Sequence, residues 1–190
     1  MGDDQPAGAT GVNRPLFIGV GAYLALLGGW HVIETVPLAM RGARAEGYPD
    51  WLVPFLAVES MIVFEAGACL LVAGLLRRRK MRVSAILGLS GASSLAIFAL
   101  LYAWFLVAYE NAFADGGIIW GFFHVLTLTR MPTTGTEAGV LGYKVGLGAG
   151  MVVWFAVALV TAASAVLLLR GRRNVKIVPP PSDLTATLPR

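Results

Sequence analysis

Four apolar runs, at about 16–36, 51–76, 83–109 and 140–169, divide the 190-residue chain, with polar stretches between them. Each is long enough to cross a hydrocarbon core about 30 Å thick, which takes roughly 20 helical residues. The pattern predicts an all-α integral membrane protein with four transmembrane helices. A fifth piece, "GGIIWGFFHVLTLTR" at 116–130, holds an apolar run only from 118 to 128. That is about half a span, which predicts a short re-entrant or interfacial helix in the second outer loop. Its Trp120, Phe122 and Phe123 suit the headgroup boundary, where amphipathic rings collect. The "MPTTGTEAG" that follows reads as a polar turn, with Pro and Gly as breakers.

Composition agrees with the pattern. With 57% apolar and 14% charged residues and a mean hydropathy of +0.72, the chain falls outside the usual soluble range. The plan is an N-terminal tail at 1–15, one membrane domain at 16–170 and a C-terminal tail at 171–190, with no second domain and no soluble catalytic module. The C-terminal tail contains a triple proline, so an extended, partly polyproline II form is expected there.

Charge sets the expected orientation. Arg77, Arg78, Arg79, Lys80 and Arg82 fill the turn between the second and third runs, and Arg170, Arg172, Arg173 and Lys176 follow the fourth. Cytoplasmic loops collect Lys and Arg, so both clusters and both termini are expected in the cytoplasm of a bacterial inner-membrane protein. Loops 37–50 and 110–139 then face outward. A fifth crossing at 118–128 would put the two Arg clusters on opposite faces. The net charge of +4 and pI near 9.6 follow from this topology and from contact with anionic lipid heads, and give no argument for nucleic acid. The acidic, polar start "MGDDQPAGATGVNRP" lacks the features of a signal peptide, so the first run is expected to be retained. Pro6 breaks the myristoylation pattern. The single cysteine, Cys69, lies inside the second run, where it can form no internal disulfide and is expected to serve packing.

Small residues mark the contact faces. Gly21, Ala25 and Gly29 recur every fourth residue in the first span, and Gly142, Gly146 and Gly150 do so in the fourth. Such spacing lets helix backbones approach closely where lipid removes the hydrophobic drive. Contact within the bundle is favoured over contact between chains, because four spans need internal seams. Ser90, Ser93 and Ser94 of the third span can bond carbonyls or neighbouring helices.

Ionisable residues at membrane depth cost roughly 2.5 to 3.5 kcal/mol each and usually face a bundle interior or an aqueous cavity. At about 1.5 Å of rise per residue, His31 lies well out along the first span, with Glu34 one turn beyond it. Glu59 enters to a similar depth on the second span, and Glu65 lies near its middle. Six residues turn a helix by about 600°, so Glu59 and Glu65 must face different partners. Lys144, His124, Glu110, Tyr102 and Tyr109 belong to the same outer half.

Several functions fit this cluster. His31 and Glu34 at i,i+3, joined by Glu59 and His124, have the donor types of a carboxylate-bridged iron, manganese or zinc site. His31 and His124 are the residue types for a bis-histidine haem. A quinone or lipid pocket would use His31 or Tyr102 as donor, with Trp30, Trp104 and Trp120 as apolar walls. Proton or ion passage would use Glu65 at mid-membrane and Glu59 as outer relay. Against these stands a structural use: Glu34 or Glu59 pairs with Lys144, His31 bonds a neighbouring helix, and a neutral Glu65 bonds Ser93 or Ser94. No P-loop, G-x-S-x-G elbow, C-x-x-C or H-E-x-x-H appears. The reading that follows is a non-catalytic accessory or structural subunit of a larger membrane complex, with lipids and other membrane subunits as partners. The alternatives are a small redox protein holding a metal, haem or quinone, and a transporter using Glu65.

Overall fold

The computed structural model describes residues 13–42, 50–77, 79–108, 117–127 and 137–171. Five helices stand among them and no strand: α1 (Asn13–Met40), α2 (Leu52–Leu76), α3 (Met81–Ala108), α4 (Gly117–Thr127) and α5 (Glu137–Gly171). Four are long and apolar enough to cross a membrane, and α4 is the short helix expected between the third and fourth spans. The tails, the turn after α4, Tyr109 and Glu110 lie outside the described residues.

Helix ends differ from the apolar runs because backbone hydrogen bonding continues through polar residues until something stops it. α1 extends past Val36 and tolerates Pro37, which lies in its last turn. It stops where Gly42 takes a φ of +63° and donates its N–H to Ala39 O at 3.0 Å, a left-handed cap that glycine adopts without a Cβ penalty. Between α2 and α3 the turn is tight: Lys80 N–H donates to Leu76 O at 2.8 Å, and the buried Ser84 hydroxyl donates back to Ala73 O at 2.7 Å.

The spans pack in the order α1, α2, α3, α5, while α1 and α5 touch only sparingly. The α1–α2 seam is the closest. A Cβ on Gly21 would meet the backbone of Leu71, one on Gly28 that of Phe64, and one on Gly67 that of Ala25. The small-residue face of α1 therefore lies within the bundle. Its close approaches fall at Gly21, Ala25 and Gly28, whereas Gly29 meets only the Phe64 ring, at an ordinary 3.5 Å. On α5, Gly150 faces Val125 of α4, and Gly146 is buried.

Phe17, Leu24, Val63, Leu70, Leu95, Phe98, Leu147 and Trp154 form the centre of the core. Large apolar side chains such as Leu26, Ile33, Ile86, Leu100 and Leu159 stand exposed on the outside, as a lipid-facing surface requires. At the end of the bundle away from the basic turn, Trp51, Phe55, Trp104 and Phe105 form an aromatic cluster, with Phe55 and Phe105 stacked at 5.2 Å. Such a group is at home at a headgroup boundary.

Candidate functional site: a half-helix capped inside the bundle

α4 runs alongside α5 in the same direction. Gly121 lies against Tyr143 and Leu147, and one turn later Val125 lies against Gly150 and Trp154. Trp154 stands halfway along α5, so the carbonyl end of α4 reaches the middle of the bundle. A helix lying flat at the interface would cross the spans instead of following one. Glycine makes the approach feasible, since a Cβ on Gly121 would overlap the carbonyl oxygen of Tyr143.

Every helix leaves its last four carbonyls without intrahelical partners. In water solvent fills them, but at membrane depth neighbouring helices must. Three of the four are met by side chains from two other helices. Trp154 Nε1 donates to Val125 O at 3.1 Å, Tyr23 OH donates to Leu126 O at 2.7 Å, and His31 Nε2 lies 3.2 Å from Thr127 O. The Tyr23 and Trp154 rings also stack, with centroids 6.3 Å apart. α1 and α5, which hardly touch, are thus joined through the end of α4.

The His31 contact places one ring proton. A carbonyl oxygen only accepts, so Nε2 carries the proton. Nδ1 then faces Glu34 Oε2 at 3.5 Å, which explains the i,i+3 spacing. The ring caps α4 through Nε2–H, and a proton shared between Nδ1 and the Glu34 carboxyl is what makes their contact attractive. Behind it, Thr35 Oγ1 donates to His31 O at 2.7 Å and lies 3.3 Å from Ser60 Oγ, which links α1 to α2 at this level.

His124 is engaged elsewhere. Its Nδ1 bonds the Tyr143 hydroxyl, and the Tyr102 ring stands edge-on to the imidazole at 6.3 Å. Tyr102 itself is buried among Phe98, Phe105 and His124. Among the described residues no three of His, Cys, Asp and Glu gather closely enough to hold a metal ion. Of His31, Glu34, Glu59 and His124, the structure brings the first two together. Glu59 is buried at 4% exposure and is engaged, as is Lys144. Trp30 and Trp104 point outward, and the side chain of Trp120 lies outside the described set.

Glu65 is placed differently. It stands exposed on the outside of the bundle halfway along α2, where Oε2 accepts a hydrogen bond from Ser94 Oγ at 3.0 Å. Cys69 Sγ lies 4.0 Å from Ser90 Oγ one turn further along the same α2–α3 face. Ser93 is exposed.

Tyr23, Tyr143 and Trp154 are the site residues that span and motif reading passes over. For Tyr23 and Trp154 the signal is present in the sequence: a polar-tipped aromatic well inside a span, away from both interfacial belts, needs a hydrogen-bond partner. Comparison with protein-family models, with curated proteins and with solved structures finds no match for the chain. What the fold defines is a class, a multi-pass α-helical membrane protein with a half-helix inserted between its first and last spans.

Proposed function

We propose that the protein is a non-catalytic subunit of a larger membrane assembly and docks through the α2–α3 face around Glu65. The observation that carries this reading is the carboxyl itself, exposed at mid-span with one oxygen held by Ser94. An ionised carboxylate facing lipid costs roughly 2.5 to 3.5 kcal/mol, and a protonated one still carries an O–H that lipid tails cannot accept. A helix from another chain that offers a hydroxyl, amide or backbone carbonyl at this level removes that cost. The engagement of His31 with the end of α4 and of His124 with Tyr143 supports the same reading, since both histidines have structural partners. The basic turn after α2 and the arginine that ends the fourth span favour a cytoplasmic position for both termini, in a bacterial plasma membrane.

The test is native electrophoresis of membranes solubilised in mild detergent, with Glu65→Leu beside the wild type, and absorption and metal analysis of the purified protein. The wild type is expected to migrate in a complex that Glu65→Leu dissolves while its melting temperature is kept. A stoichiometric metal or a haem band that His31→Ala removes would overturn the reading in favour of a redox protein. A second reading, proton or ion passage, rests on the same mid-span carboxyl acting as a carrier. Loss of a proton-dependent flux in Glu65→Gln vesicles would select it.

A further inference from the structure

At the end of the bundle opposite the aromatic cluster, the start of α1 and the end of α2 lie side by side. A Cβ on Gly74 would come within 2.7 Å of Ile18 and 3.2 Å of Phe17, so the first turns of α1 are pressed against the last turn of α2. This closeness puts Arg14 and Arg77 in each other's electrostatic field. Arg77 is nine-tenths buried, with 9% of its surface exposed. Its Nη1 and the Nε of Arg14 are buried and have no hydrogen-bond partner among the described residues. Burial, and after it the charge of Arg14, lowers the Arg77 guanidinium from its ordinary pKa. Two like charges with unmet buried donors are unfavourable unless an anion lies between them.

We propose that Arg14 and Arg77 form a binding site for the phosphate of an anionic phospholipid. Three features select this ligand. Paired guanidiniums present forked N–H donors that match phosphate oxygens. The site lies at the end of the apolar spans, the level at which lipid phosphates sit. Exposed Arg79, Lys80 and Arg82 surround the site with further positive charge, which disfavours a lipid whose headgroup carries its own ammonium.

The test is native mass spectrometry of the full-length protein in mild detergent, offered phosphatidylglycerol, phosphatidylcholine or inorganic phosphate. The wild type is expected to retain phosphatidylglycerol in preference to phosphatidylcholine. Arg77→Gln and Arg14→Gln should each weaken retention by about tenfold, as loss of a charge-assisted hydrogen bond implies. Arg41→Gln, at an exposed position on the opposite end of the bundle, should leave it unchanged. Arg77→Lys keeps the charge but loses the fork, so partial weakening at an unchanged melting temperature separates recognition from folding. Equal retention of the two lipids, or retention indifferent to both Arg77 variants, would overturn the proposal. So would displacement of the lipid by millimolar phosphate, which would assign the site to the free anion. If the Asp3→Asn, Asp4→Asn double variant alone creates lipid binding, the N-terminal aspartates occupy the site in the native chain and the proposal also fails.

Discussion

The α1–α2 seam and the seat of α4 are two solutions to the same difficulty, association inside a solvent that gives apolar groups no reason to gather. α1 and α2 cross the bundle from end to end, so their backbone groups are satisfied internally and their contact needs only shape. Glycines at 21, 28 and 67 bring backbone against backbone. α4 ends halfway through, and its last carbonyls must be met by other helices. Tyr23, His31 and Trp154 supply the donors. A complete span is thus held by what its side chains lack, and a half-span by what its neighbours' side chains offer.

The most damaging way to test this contrast is to fill the seam. Gly67→Val would drive two methyl groups into the Ala25 backbone, which cannot move without displacing α1. The expected loss is at the upper end of overpacking, about 3 kcal/mol, read as a cooperative fall in thermal or denaturant stability of the detergent-solubilised protein. A stability equal to wild type would mean that the seam is looser than its glycines imply.

A smaller and more local effect is expected at the other region. Tyr23→Phe, Trp154→Phe and His31→Ala each leave one carbonyl of α4 without its donor, at about 1 kcal/mol apiece, as for other hydrogen bonds between membrane helices. Combined, they should raise hydrogen exchange across 117–127 while α1, α2 and α3 keep their protection. Exchange rising equally in all spans would show that α4 supports the whole bundle and erase the distinction. His31→Gln, which retains an N–H donor, should recover part of the lost protection, whereas a purely apolar replacement should not.

The smallest effect sharpens the first test. Gly19 lies two residues from Gly21, yet a Cβ there would meet nothing within 4 Å. Gly19→Ala should leave stability within about 0.5 kcal/mol of wild type, or raise it slightly through helix propensity. A loss comparable to that of Gly67→Val would point to a second contact surface on α1.

Much of this was legible along the chain. The number of spans, the half-length of α4 and the basic turn follow from run length and charge, because the bilayer has one thickness and every spanning backbone must satisfy itself. The small-residue face of α1 was legible at Gly21 and Ala25. That Gly28 takes the next close approach, with Gly29 against a ring, depends on the angle at which α2 crosses. His31 and Glu34 could be paired because i,i+3 neighbours share a helix face. Thr127, the group that His31 caps, is 96 positions away.

The sequence by itself determined that this chain is a bundle of apolar helices with a half-span between the third and fourth, since both properties depend on local runs measured against a fixed membrane thickness. Only the tertiary structure decided which polar groups meet. A hydrogen bond depends on ångström distances between residues far apart in sequence, and the same tyrosine, tryptophan or histidine would read identically whether it capped a carbonyl, lined a pocket or faced lipid. Hence Glu59 is buried while Glu65 stands on the outer surface of the same helix, and His31 closes the end of α4 while His124 turns to Tyr143.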